Sequence, residues 1–235
     1  MPAENDYHKY FIVDGKHVGD YESMYRFCPD PWRIEELGLR LDMKAALLLV
    51  DSLPLAPLRV LDAGAGAGLL SLELIRLLGK TRPGSDVILS DISETALGLA
   101  KKRIEKALGP KPLGNGGPED LGVKVTAAPF DLRQIGKANC PWPDGTFDLV
   151  FLAQTLWGLV ENLEGLFPGL RFKLKTPGHL IISQHFPGPD HQSYAAFVDP
   201  ALVSKLAKDA GFKLLHTLET DRMVNHHWAA LWSCD

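Results

Sequence analysis

Little in this chain points to a disulfide framework, a metal centre, a membrane span or a polyanionic partner, and each scarcity removes a class of function. Its three cysteines, Cys28, Cys140 and Cys234, are far apart and odd in number, and they form no CxxC pair or Cys/His cluster. Neither a disulfide scaffold nor a structural zinc site is expected, and no metal is expected at the site. No stretch approaches the roughly 18 uninterrupted apolar residues of a membrane span. The opening residues, MPAENDYHKY, are polar and lack the apolar core of a secretory signal, so a cytoplasmic setting is expected. Formal net charge is -4, which offers no basic field to hold a nucleic acid. Lys101, Lys102 and Arg103 make a short basic run that reads as the solvated face of a helix.

What is present is an ordinary globular composition, 46% hydrophobic and 23% charged over 235 residues, enough for one full α/β domain with a short accessory segment. Residues 1–19 read as an irregular arm and residues 20–27 as a short helix. Residues 34–53 carry apolar positions at helical spacing until Pro54 and Pro57 stop them. A repeating pattern follows, with strands expected at 58–61, 87–89, 123–127, 147–152 and 179–183, and two more at 213–218 and 227–232. Helices are expected between them at 69–78, 95–108, 162–174 and 200–210, with Ser93 capping the second. Pro110 to Asp120 is rich in Pro and Gly and reads as a surface loop. Strands alternating with helices of this length indicate a doubly wound, mostly parallel seven-stranded sheet. The expected division is residues 1–53 as an N-terminal arm and 54–235 as the α/β domain.

The segment Val60-Leu61-Asp62-Ala63-Gly64-Ala65-Gly66-Ala67-Gly68 says most about function. A buried strand ends at an acid and passes into a helix through alternate glycines, which suit positive φ or a ligand lying against bare backbone. The free N–H groups of the helix that follows favour a polar or anionic ligand group. A dinucleotide site needs G-x-G-x-x-G, but Leu69 stands where its third glycine belongs. No Lys-Ser/Thr pair follows, which excludes a phosphate-binding P-loop. The segment resembles motif I of class I S-adenosylmethionine-dependent methyltransferases, with Asp62, Gly64, Gly66 and Gly68 matching position by position. The resemblance implies a Rossmann-like methyltransferase fold with S-adenosylmethionine as cofactor, the backbone at Ala63, Gly64 and Gly66 beside it, and Asp62 orienting its methionine end. The alternative is a strand–helix turn whose glycines serve packing alone.

Later segments fall in the family's order. Ser90-Asp91-Ile92 ends the second strand, and Asp91 resembles the ribose-binding acid, with Ile92 its apolar neighbour along the adenine; a helix N-cap is the other reading of Asp91. Phe130-Asp131-Leu132 follows the third strand, and the resemblance gives Asp131 and Leu132 to the adenine; a plain turn Asp is the alternative. Asp144-Gly145-Thr146-Phe147-Asp148 resembles the turn into the fourth strand, where Asp148 is structural. That strand runs on to Gln154 and Trp157 at the cofactor–substrate boundary. Lys175-Thr176-Pro177-Gly178 resembles the approach to the fifth strand. There is no Asn-Pro-Pro-Tyr, the mark of enzymes acting on adenine or glutamine amides, and no acidic metal set of catechol-type enzymes.

These absences and the acidic balance point to a small-molecule acceptor, methylated on N or O. His185, directly after the fifth strand, is the candidate base, with His191 and Tyr194 on the loop beyond it, whereas His226 and His227 read as structural. Tyr25 and the Pro29-Asp30-Pro31-Trp32 segment resemble the entry segment of small bacterial methyltransferases related to nodulation-factor N-methyltransferases. That resemblance implies a helical lid carrying Tyr25 and Trp32, and an amino sugar or similar metabolite as acceptor. A non-catalytic cofactor-binding module and an NAD-type oxidoreductase are the competing classes.

Overall fold

A computed structural model describes residues 8–13, 16–109, 121–187, 198–220 and 225–235. The 110–120 loop, His191 and Tyr194 lie outside the described residues. A four-residue helix α1 (His8–Phe11) leads into a small antiparallel pair, β1 (Ile12–Val13) and β2 (Lys16–His17). The helices α2 (Tyr21–Phe27), α3 (Ile34–Leu37) and α4 (Leu41–Asp51) follow. The α/β body is β3 (Arg59–Ala63), α5 (Leu69–Thr81), β4 (Asp86–Asp91), α6 (Glu94–Leu108), β5 (Lys124–Pro129), β6 (Phe147–Ala153), α7 (Leu163–Lys173), β7 (Leu174–Pro187), α8 (Pro200–Asp209), β8 (Lys213–Thr220) and β9 (Asn225–Cys234).

The seven-stranded sheet has the order β5-β4-β3-β6-β7-β9-β8. Neighbours from β5 to β7 are parallel, and β9 runs antiparallel to both β7 and β8. Alternate residues of each strand face opposite layers, as a pleat requires. Val60, Leu89, Phe151, Ile181 and Leu231 pack toward α4, α5 and α6. Leu61, Ile88, Val150, Ile182 and Trp228 pack toward α7 and α8. Burial on both faces is what makes these strands read as near-continuous apolar runs.

Three local expectations change. The 1–19 arm is not irregular throughout, because α1, β1 and β2 occupy part of it. The helix expected over 34–53 is two, since Gly38 adopts φ +75° and ends α3 before α4 begins. A period of apolar residues does not register such a break, which glycine permits at no steric cost. The fifth strand starts at Leu174, with Pro177-Gly178 inside it and a register shift against β6 between Phe147 and Leu149. Ser93 does cap α6, accepting the Ala96 N–H at 3.0 Å. Among the described residues no helix is long and apolar enough to cross a membrane.

Candidate active site

At the C-terminal end of β3 the chain turns by donating both Gly64 N–H and Ala65 N–H to the Ser90 carbonyl, at 2.7 and 2.9 Å. Gly64 takes φ +82° and Gly66 φ +54°, conformations that side chains resist. A Cβ on Gly64 would strike the Thr155 side chain, and one on Gly66 would lie 2.6 Å from the Tyr25 hydroxyl. Both glycines are thus in close contact with side chains, Thr155 and Tyr25, that line the same cleft. Gly68 serves packing instead, since a Cβ there would meet Ala100 of α6. Ala63 is fully buried in the core and does not line the cleft.

Two acids stand at this turn. Asp62 is 3% exposed and accepts the Ser71 hydroxyl proton at 2.6 Å. Burial pushes its carboxyl up to about 7, against the pull of the Ser71 bond, with Asp91 adding like-charge repulsion. Asp91, at the end of β4, accepts Gly66 N–H through one oxygen and Ser93 N–H through the other, both at 2.9 Å. Burial also raises the Asp91 carboxyl above the usual range. Ser93 does the capping of α6, so Asp91 is left to bridge the glycine turn and the loop beside it. A carboxylate accepting two N–H groups still has lone pairs for hydroxyl donors.

The cleft encloses about 230 Å³ and is walled by the glycine turn, Asp62, Asp91, Ile92, Asp131, Leu132, Gln154 and Trp157. One wall comes from α2 and the segment after it, with Tyr25 and Trp32 on the cleft. Burial raises the Tyr25 hydroxyl well above its ordinary value, which keeps it protonated. Helix α2 is fastened to α6: Glu22 accepts from Ser93 Oγ at 2.7 Å, from Thr95 N–H at 3.1 Å and from Thr95 Oγ. Those bonds hold the Glu22 carboxyl down at about 2. Asp131 accepts Arg133 N–H at 2.9 Å and pairs with its guanidinium.

Of the residues singled out from sequence, Asp62, Gly64, Gly66, Asp91, Ile92, Asp131, Leu132, Gln154, Tyr25, Trp32 and Trp157 share this cleft. His185 does not line it; its ring stands 5.3 Å from that of His227, and its N–H donates to Gln154 Oε1 at 3.3 Å. Sequence reasoning missed Phe11, His17, Tyr21, Thr155 and Arg133 on the cleft wall, and Asp42 behind it. Asp42 looks like the polar face of a helix, and nothing local marks it as buried.

An α/β sheet in this order, with a bare glycine turn after β3 and an acid at the tip of β4, defines a class I methyltransferase, the group that uses S-adenosylmethionine. A family model described as a methyltransferase domain matches residues 61–182, more than half of the chain. The chain belongs to that family. Among solved structures it resembles a SAM-dependent methyltransferase from Aquifex aeolicus, at 20% identity and TM-score 0.63, covering 88% of this chain and 99% of the other. It also resembles the N-methyltransferase NodS from Bradyrhizobium japonicum WM9 in complex with S-adenosylhomocysteine, at 15% identity and TM-score 0.63, covering 91% and 97%. A third is magnesium protoporphyrin IX methyltransferase from Synechocystis PCC 6803 with bound SAM, at 24% identity and TM-score 0.56, covering 83% and 78%. At these identities the likeness is one of fold. A search of curated proteins found no match.

Proposed function

We propose that this chain transfers the methyl group of S-adenosylmethionine to a nitrogen or oxygen of a small molecule, with an amino sugar or related metabolite as the first class of acceptor. The observation that carries the reading is Asp91, a buried carboxylate tied to Gly66 N–H at 2.9 Å on the rim of the glycine turn that lines the cleft. The residues fit the cofactor. Gly64 and Gly66 line the cleft at positive φ, and Asp62 and Asp91 beside them are acids whose burial a cationic or hydroxyl-bearing ligand relieves.

The sulfonium supplies the activated methyl group and its own leaving group. The protein's share is to bind, align and exclude water. Asp91 holds the ribose hydroxyls and Ile92 lies along the adenine, with Asp131 and Leu132 at the ring's polar edge. Asp62 and the backbone at Ala63, Gly64 and Gly66 hold the methionine end, and Gln154 closes the boundary with the acceptor. Residues 1–53 act as the lid, in which Tyr25 and Trp32 offer aromatic faces to a cation, joined by Trp157 from the acceptor side. A neutral amine needs little help in losing its proton, whereas a hydroxyl needs a base; His185 is the residue proposed for it, and because it does not line the cleft it would have to turn toward the acceptor to serve. The Asp30-Pro31-Trp32 segment supports the amino-sugar class.

Calorimetric titration with S-adenosylhomocysteine tests the cofactor site, and Asp91→Ala should weaken binding by on the order of 100-fold with a far smaller loss of folding stability. Equal losses in both would reduce Asp91 to a structural cap. Transfer of labelled methyl to a panel of amino sugars, amines and phenols, read by mass spectrometry, tests the acceptor class. A blank across the panel with S-adenosylhomocysteine still bound would favour a non-catalytic binding module.

A further inference from the structure

Asp42 lies in the first turn of α4 at 1% exposure, and its carboxylate gathers side chains from the ends of three strands. Oδ1 stands 2.6 Å from His227 Nδ1 on β9. Oδ2 accepts from Ser183 Oγ on β7 at 3.0 Å and from Gln154 Nε2 just past β6. A carboxylate only accepts, so His227 presents its Nδ1–H to it. The other charged or titratable groups around the pair are Arg40, whose Nε lies 3.6 Å from Asp42 Oδ1, and His185, whose ring is 5.3 Å from that of His227. On β8, Glu219 is turned away to His226, at 3.2 Å.

Gln154 is where this cluster reaches the cleft. It is a non-glycine residue at φ +58°, a left-handed conformation that costs stability and persists only where the surroundings enforce it. Four bonds do so. Its N–H donates to the Ser183 carbonyl at 2.7 Å, Nε2 to Asp42, and Oε1 accepts His185 N–H at 3.3 Å and Gln184 Nε2 at 3.5 Å. The amide is thereby aimed from behind while its residue lines the cleft. The Asp42–His227 bond ties this arrangement to β9 and to a cation-forming group.

We propose that His227 and Asp42 are positioning residues of the cofactor site: the buried carboxylate, balanced by the His227 donor, fixes the Gln154 side chain at the cleft edge and so sets affinity for the S-adenosyl ligand. Without that donor the buried carboxylate loses a strong partner and reorganises toward Arg40 or a proton, and the Gln154 amide is released. The proposal rests on the cofactor reading above.

The test uses the full chain and S-adenosylhomocysteine as the calorimetric probe, with melting curves for every variant. His227→Phe keeps a ring but no donor and should bind about tenfold more weakly; should it fail to fold, His227→Leu takes its place. His227→Asn returns an N–H near the Nδ1 position and should recover affinity to within about threefold of the parent. Gln154→Ala should bind as weakly as His227→Phe, and the double variant no more weakly than either, because both remove one unit. Asp91→Ala is the control for the site itself. The relay is overturned if Asp91→Ala loses affinity while His227→Phe binds like the parent, or if His227→Asn falls as far as His227→Phe and the loss adds to that of Gln154→Ala. If the parent gives no heat, or Asp91→Ala binds like it, the cofactor reading has failed and the relay falls with it.

Discussion

Asp62 is held in the folded chain under conditions that favour its neutral form. Its carboxyl rises from 3.8 in the open chain to about 7 because burial strips its hydration, and the Ser71 hydrogen bond only partly offsets this. The folded state then binds a proton that the unfolded state releases, so this group makes stability fall as pH rises between about 4 and 7, and adds nothing further above that window. A carboxyl raised that far corresponds to an upper bound on the order of 4 kcal/mol. Asp62→Asn should therefore be more stable than the parent above pH 7 and lose that advantage progressively toward pH 4. Thermal melts of both chains across that range, without ligand, check the difference, and parallel melting curves would show that burial does not govern this acid. A ligand cation beside Asp62 should reverse the preference, so the parent's shift in melting temperature with S-adenosylhomocysteine should exceed that of the variant above pH 7.

Elements carry the next level, and there α2 carries the proposed lid. It begins with Asp20 accepting the Ser23 N–H at 3.0 Å. It is tied to α6 through Glu22, whose carboxylate takes the Ser93 and Thr95 donors at that helix's N-terminus, a favourable place for negative charge. Glu22→Ala should leave the sheet intact and loosen the lid: amide exchange over α2 should speed several-fold while global stability drops by about 1 kcal/mol. Unchanged exchange in α2 would mean the aromatic contacts alone hold it. The Glu22 anchor is present above pH 4.5 and weakens only as pH falls toward 2.

Much of this was legible in the chain itself. The glycine turn could be placed because strand, acid and glycine spacing are local patterns, Asp91 and Leu132 follow from the family resemblance that the turn opens, and the capping Ser93 announces α6 one residue ahead. What escaped depends on contacts across the fold. Glu22 and Asp42 sit in short helices as unremarkable acids, and only assembly of α2 on α6 and of α4 on β7 and β9 reveals what each one holds. Gly38 was invisible to a periodicity reading because one residue at positive φ breaks a helix without disturbing the spacing of its neighbours.

Across the whole molecule, acids gather at both ends of the sheet. At the C-terminal ends of the parallel strands, Asp42, Asp62 and Asp91 are buried around the cleft. At the opposite end Asp148 accepts Arg59 N–H at 2.7 Å and pairs with Lys175 at 2.8 Å, and Asp144 pairs with Lys173 at 2.7 Å. Arg82 belongs to this second end. Its guanidinium is fully buried and donates to the carbonyls of Asp51, Leu53 and Pro54, where α4 runs out, and to Thr81 Oγ at the end of α5. It thus satisfies chain-end carbonyls that the α4 helix cannot, and joins the N-terminal helices to the α/β body. Arg82→Met fills similar space but leaves those carbonyls without a donor, and should cost about 3 kcal/mol or more. The expected signature is a lower urea midpoint at unchanged slope, with S-adenosylhomocysteine affinity of the folded chain kept. If affinity fell in step with stability, the two ends would be coupled through α4, whose first turn holds Asp42 and whose last turn abuts Arg82. Retained affinity would instead place the burden of stability at the end of the sheet away from the cleft, which leaves the other end free to keep acids buried for a ligand.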